Sequence, residues 1–244
     1  MSAAPKVPAR EGRGASELRP VEVRTGYNPH AEGSALVTWG GTQVLATVTI
    51  ESKLPPHLRG VAGATGWLTA EYALLPRSTN VRVQRERLYA SGRTQEIQRL
   101  VGRALRSCVD LSMFRGKTIT VDTDVLIADG GTRCAAILAG YLALHDAANG
   151  LVFRGELDEW PLLHELAAVS VGLVGGEARV DLDYAEDVAA EVDLNVVATG
   201  AGEVVEVQGG SEARPLDAER YVTLLATGIA AAQKLLEIVR PQLG

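Results

Sequence analysis

The stretch TRCAAILAGYLALHDAA, residues 132–148, is apolar almost all round when wound as a helix. A surface helix needs only one apolar stripe, so a helix without a polar face belongs against a sheet or between layers. The remaining sequence has to supply that cover. The 244 residues are enough for one large domain or two small ones. A monomer of this size buries roughly 70% or more of its unfolded surface, so its core needs no covalent staples.

Strand signals surround the apolar helix. SALVTWGGTQVLATVTI, residues 34–50, reads as a β-hairpin whose Gly40-Gly41 supplies the positive φ of a tight turn. VEVRTG before it and GWLTAEYALL, residues 66–75, after it read as further strands. In SGRTQEIQRLVGRALRSCVDL, residues 91–111, Ile97, Leu100, Val101, Ala104, Leu105, Cys108 and Val109 recur at helical spacing, with Ser91 as the expected N-cap. The β-branched KTITVDTDVLI, residues 117–127, predicts a strand running into ADGG and the apolar helix. ELAAVSVGLVGG, ARVDLDY, EVDLNVVAT and EVVEVQGG predict four more strands, and a helix over about residues 217–239 closes the chain. No linker or repeat interrupts this order. The expectation is an α+β fold, mixed or antiparallel sheets packed with helices in a single domain over residues 10–244. Residues 1–9, rich in Pro and charge, are expected to form a mobile N-terminal arm.

Two cysteines, Cys108 and Cys134, fall in apolar helical patterns and are expected to be buried and unbridged, which favours an intracellular protein. The N-terminus lacks the apolar segment of a signal peptide, and the longest apolar run, residues 134–144, is too short to span a bilayer. A soluble protein with no membrane partner is expected. The net charge of −6 argues against nucleic acid, but its distribution does not. Residues 77–115 hold nine arginines against three acids, a net +6, which leaves −12 for the rest. Such a belt either grips an anionic polymer or pairs with acids elsewhere or on a neighbouring subunit.

The acids are as concentrated as the arginines. DLDYAEDVAAEVD, residues 181–193, carries six carboxylates: Asp181, Asp183, Glu186, Asp187, Glu191 and Asp193. Like charges about 4 Å apart repel by roughly 1 kcal/mol even in water, so the cluster is either a solvated face or a seat for a cation or proton. Strand alternation sends Glu191, Asp193 and Asn195 to one face, and Asp187 lies six residues before Asp193 on the approach to that strand. Carboxylate oxygens suit Mg²⁺ or Mn²⁺. ADGGTR, residues 128–133, offers the opposite chemistry. Glycines let backbone approach a ligand, a helix N-terminus favours phosphate, and Thr132 and Arg133 add a hydroxyl and a guanidinium fork. An ordinary capped turn is the competing reading. Other chemistries find no support: the four histidines show no metal-ligand spacing, and GxSxG, CxxC and Walker-type motifs are absent.

Taken together, GSALVTWGGTQVLATVTIE, GWLTAEYALLPRSTNVR, SGRTQEIQRLVGRALR, DVLIADGGTRCAAILAGYLAL and DLDYAEDVAAEVDLNVVATGAGEVVEVQGG resemble bacterial ribonuclease PH, from about Arg10 to Ala232. The resemblance implies a fold similar to the catalytic cores of polynucleotide phosphorylase and the archaeal exosome ring. It implies phosphorolysis, in which inorganic phosphate as co-substrate attacks the 3′-terminal phosphodiester of precursor tRNA or another RNA 3′ end and releases a nucleoside diphosphate. By the same resemblance Arg93, Gly131, Thr132 and Arg133 match the phosphate contacts, and Asp187 and Asp193 match the catalytic and metal-binding pair for Mg²⁺ or Mn²⁺. Arg77, Arg82, Arg85 and Arg99 match RNA-binding or interface arginines of a cytoplasmic homohexamer, a trimer of dimers. The chain departs from the family in being about two residues shorter, and without a lysine, in the basic segment around residues 87–90. A non-catalytic, RNA-binding ring subunit is the rival reading. Such a subunit would be expected to lose the acid pair or the phosphate-binding arginines, and both are present.

Overall fold

A computed structural model describes residues 7–10, 12–86, 90–211 and 214–243. The first half of the chain builds one five-stranded sheet from β1 (Val21–Thr25), β2 (Gly33–Trp39), β3 (Thr42–Glu51), β4 (Trp67–Leu74) and β5 (Thr118–Ile127). Its order is β1-β2-β3-β5-β4, antiparallel except for the β4–β5 pair. That parallel pair needs a crossover, which α1 (Gly92–Ser107) supplies. The second half builds an antiparallel sheet from β6 (Leu166–Val174), β7 (Glu177–Val180), β8 (Val192–Thr199) and β9 (Val204–Ser211), ordered β7-β6-β8-β9.

The apolar helix, α2 (Thr132–Phe153), packs against β2 and β3 of the first sheet and against β6 of the second. It is covered on both sides, as its lack of a polar face demands, and its buried residues run from Cys134 through Leu151. The last long helix, α4 (Ala218–Val239), packs on β6 and β8. By length and composition alone both α2 and the segment Ala218–Gln242 could cross a bilayer, beyond what the run at residues 134–144 suggests. In α2, that apolar surface is buried between the sheets. Both cysteines are buried and free.

One expectation changes. A two-turn helix, α3 (Tyr184–Ala189), stands where the approach to a strand was expected. Residues 8 and 10 meet the second half of the chain. The Pro8 carbonyl accepts from Arg179 Nη1 at 3.1 Å, and Arg10 Nε reaches Glu186 Oε1 at 2.6 Å. The rest of the expected arm, residues 1–6, lies outside the described residues.

Candidate active site

The site is assembled where α2 begins. Gly130 and Gly131 both adopt left-handed backbone, with φ of 73° and 66°. At Gly130 a side chain could not fit: a Cβ there would lie 2.5–2.7 Å from the backbone of Leu182, Asp183 and Tyr184. The turn is thus pressed against the start of α3. Its carbonyls are tied down from behind. Arg19 Nη1 donates to the Asp129 carbonyl at 2.5 Å, and Thr42 Oγ1 donates to the Gly130 carbonyl at 2.7 Å. Gly131 is the N-cap of α2 and no side chain caps it. The first intrahelical bond, Ala135 N–H to the Gly131 carbonyl at 2.9 Å, follows the N–H groups of Thr132, Arg133 and Cys134. Their dipoles favour an anion.

Thr132 and Arg133 stand in the first turn of α2. The Thr132 hydroxyl and the hydroxyl of the buried Tyr72 are hydrogen-bonded to each other at 3.0 Å. Burial raises the Tyr72 pKa, while the Thr132 bond and the charges of Arg93 and Arg133 oppose that rise. Arg93, at the start of α1, and Arg133 thus both act electrostatically on the phenol that Thr132 meets. Arg133 Nη2 lies 3.4 Å from Glu96 Oε1, and the same oxygen accepts from Gln208 Nε2 at 2.6 Å. Arg133 Nε is buried with no hydrogen-bond partner among the described residues. A donor left in that state costs about 1–3 kcal/mol unless a ligand completes it.

The second sheet brings the carboxylates. Asp193 lies on β8 two residues before Asn195, whose Oδ1 is 3.2 Å from the Cys134 Sγ of α2. Burial first, then the charges of Asp193 and Asp181, pushes the Cys134 thiol far above its ordinary range. Asp187 is exposed on α3, whose N-cap Asp183 sits against Gly130. Short as it is, α3 is held by a reciprocal capping box: the Asp183 side chain accepts from Glu186 N–H, and the Glu186 side chain from Asp183 N–H. The pattern Asp183-Tyr184-Ala185-Glu186 is the sequence signal that marks this helix start; six residues are too few for periodicity to show.

The other carboxylates are structural. Asp181, buried and at φ 56°, receives Arg19 through Nη2 at 2.7 Å and through its backbone N–H at 2.7 Å, Trp39 Nε1 at 3.0 Å and Arg13 Nη1 at 3.0 Å. Glu186 is gripped by Arg10, Arg13 and Arg179 at 2.6, 3.2 and 3.0 Å. Burial alone would raise its pKa, but the hydrogen bonds from Arg10 and the Asp183 backbone and the charges of Arg10 and Arg13 bring it down to about 2. Glu191 Oε1 accepts from the Gly176 N–H at 3.0 Å.

Arg77, Arg82, Arg85 and Arg99 are exposed and make no ion pair among the described residues. Arg85 lines a cleft of about 400 Å³ that Tyr72, Glu71, Asp122 and Asp124 also line. Arg99 lies in a recess with Glu96 and Gln208, beside the tether of Arg133. Residues 87–89, most of the shortened basic segment, lie outside the described residues. Sequence reasoning missed Tyr72, Glu96, Gln208 and Arg19. None sits in a chemical motif, and each acts across a long stretch of chain.

A fold of two sheets sharing a central helix, with an uncapped helix N-terminus between them, defines the class. Residues 17–148 match the 3′ exoribonuclease family, domain 1, and residues 164–231 match domain 2 of the same family. The chain belongs to that family, one family domain falling on each sheet. It is 55% identical over 239 residues to the ribonuclease PH of Deinococcus radiodurans, covering 98% of this chain and 96% of that protein. It is 51% identical to the ribonuclease PH of Moorella thermoacetica, covering 96% and 93%. Among solved structures, the Archaeoglobus fulgidus exosome with RNA bound to the active site is similar at a TM-score of 0.77 and 29% identity, covering 93% of this chain and 90% of that one.

Proposed function

We propose that the chain is a phosphorolytic 3′→5′ exoribonuclease that trims the 3′ end of precursor tRNA and, in reverse, acts as a nucleotidyltransferase. The full-length relatives named ribonuclease PH support the reaction. The observation that carries it to this site is the Arg133 Nε, buried with no hydrogen-bond partner among the described residues, next to Thr132 at an uncapped helix N-terminus; the charge of Arg93 reaches the phenol that Thr132 meets. A hydrolase activates water and has no use for a second anion site beside its carboxylates.

In this reading Arg93, Arg133, the Thr132 hydroxyl and the N–H groups after Gly131 hold inorganic phosphate. A phosphate oxygen attacks the terminal phosphorus of the RNA, a P–O bond forms, and the bond to the 3′ oxygen of the preceding nucleotide breaks. The leaving oxygen takes up a proton, and a nucleoside diphosphate departs. Two anions have to meet, and the guanidinium groups offset their repulsion and the charge that builds in the transition state. Asp187 and Asp193 face the RNA end and manage the proton. Among the described residues no three carboxylate, histidine or cysteine side chains gather as a ligand set. Mg²⁺ or Mn²⁺ commonly takes only one or two carboxylates and fills its shell with water and phosphate oxygens, so the pair fits such an ion. When bound, it would neutralise phosphate charge.

The proposal extends to a homohexameric ring, a trimer of dimers with Arg77, Arg82 and Arg85 at an interface or entry rim. Its support is that these arginines form no ion pair among the described residues, and the likeness to the archaeal exosome core. RNA substrates and two unbridged thiols suit the cytoplasm. The deciding experiment incubates a 3′-extended tRNA with Mg²⁺, with and without phosphate. Nucleoside diphosphates are expected only with phosphate, and excess diphosphate alone should lengthen the RNA. Monophosphate release at a rate that phosphate does not change would leave a hydrolase instead.

A further inference from the structure

We propose that Tyr72 is a positioning residue for phosphate, its hydroxyl committing the Thr132 hydroxyl to donate into the pocket. The inference rests on the phosphate-pocket reading above and deepens it.

Tyr72 comes from the C-terminal half of β4 and is only 4% exposed. Its ring belongs to the core, so the phenol oxygen is carried to the mouth of the site by a fixed strand and a packed ring. There it lies 3.0 Å from Thr132 Oγ1. Each of these two hydroxyls has one proton and can accept as well as donate, so the bond has two possible directions. The direction decides what phosphate meets. If Thr132 donated to Tyr72, only its lone pairs would face the pocket, and lone pairs repel a phosphate oxygen. If Tyr72 donates, the Thr132 proton is free to point at the ligand.

The surroundings choose the second arrangement. The charged groups acting on the phenol are Arg93 and Arg133, and a guanidinium has five donors and no acceptor. Neither can receive the Tyr72 proton. Thr132 Oγ1, 3.0 Å away, is the oxygen within its reach that can accept. Burial keeps the phenol protonated by raising its pKa, so the donor persists at neutral pH. The result is a relay of polarity in which a buried, rigid hydroxyl orients an outer one that belongs to the first turn of α2. Because Tyr72 acts through Thr132, its effect should exist only while Thr132 carries a hydroxyl.

Kinetics on the full-length protein test this with Tyr72→Phe, Thr132→Val, Thr132→Ser and the two double variants. Tyr72→Phe removes one oxygen and keeps the packed ring. It is expected to raise KM for phosphate about tenfold, with KM for RNA and kcat at saturating phosphate within about twofold. In the Thr132→Val background the same change should leave the phosphate KM unaltered, and in the Thr132→Ser background its effect should return. A general loss of packing would instead lower stability and shift the RNA parameters in every background. The link is overturned if Tyr72→Phe leaves the phosphate KM within twofold of the parent, or if it acts equally with and without the Thr132 hydroxyl. Should the parent protein release only monophosphates, independent of phosphate, the pocket reading itself falls and takes the link with it.

Discussion

Two sets of arginines do opposite work in this chain. Arg10, Arg13 and Arg19 are almost covered, with side chains 6–10% exposed, and all three are bonded to Asp181 or Glu186. Arg77, Arg82, Arg85, Arg93 and Arg99 are exposed, and none forms an ion pair among the described residues. The first set ties the early residues to Asp181 and Glu186 and, through Arg19, pins the Asp129 carbonyl of the glycine turn. The second keeps its charge available for something outside the chain. Burial also separates two neighbouring acids: Glu186 is buried under three guanidinium groups, while Asp187 is exposed. Among the described arginines, what separates the two sets is whether an ion-pair partner stands within the fold.

The strongest test breaks the buried set. Removing the Asp181 carboxylate takes away the close counter-charge of Arg19, leaves Arg13 with Glu186 alone, and leaves the Trp39 indole without its acceptor. Asp181→Ala should lose about 3–5 kcal/mol of stability, the usual cost of an uncompensated buried charge. Urea denaturation would show it as a lower midpoint. A loss under about 1 kcal/mol would mean that the network is not held as tightly as its geometry states.

Acid should act on the same region without a mutation. The Glu186 pKa in the folded chain, about 2, lies below its ordinary value of 4.5. Its contribution is therefore complete above about pH 4.5 and fades as the pH falls toward 2, on the order of 3 kcal/mol at most. Stability measured across that window should drop, and in Glu186→Gln the drop should be shallower. An identical acid profile for both proteins would detach Glu186 from the effect.

Asp187→Ala and Asp193→Ala sharpen the contrast from the other side. Turnover should fall on the order of 10²-fold or more, as for loss of a ligand or proton-handling group in a phosphoryl-transfer site. For the exposed Asp187, the melting temperature should hardly move, and RNA should still shift in a gel. Near-normal turnover in either variant would remove that residue from the chemistry.

Much of this fold could be read in advance because its elements are long and strongly patterned. The all-round apolarity of α2 demands two covering layers, and the Gly40-Gly41 hairpin and the helix cap at Ser91 stand where the sequence places them. The site was legible only where its residues are neighbours in the chain, as in Gly131-Thr132-Arg133. The tethers were not. Tyr72 meets Thr132 across 60 residues, Gln208 meets Glu96 across 112, and Arg19 meets Asp181 across 162. No local pattern encodes a contact that exists only after two sheets have closed on one helix. The helix α3 escaped for another reason: its stability comes from two capping bonds instead of an apolar stripe, so periodicity is blind to it.

The smallest expected effect concerns the exposed arginines. Replacing Arg77, Arg82 and Arg85 together with Ala should leave the stability of the folded chain within about 0.5 kcal/mol, because no internal partner is stranded. What should change is what lies outside. In the ring reading, light scattering on the triple variant reports smaller species than the parent. Each arginine that contacts a phosphate of single-stranded RNA adds about 0.7 to the slope of log affinity against log salt. Arg99, next to the Arg133 tether, is the cleanest single case. Arg99→Ala should lower that slope by about 0.7 with particle size unchanged. If Arg99→Ala leaves the slope intact but destabilises the chain, Arg99 belongs with Arg10, Arg13 and Arg19, and exposure is a poor guide to which charges work. If the slope falls and stability holds, the division between the two sets extends to its least conspicuous member.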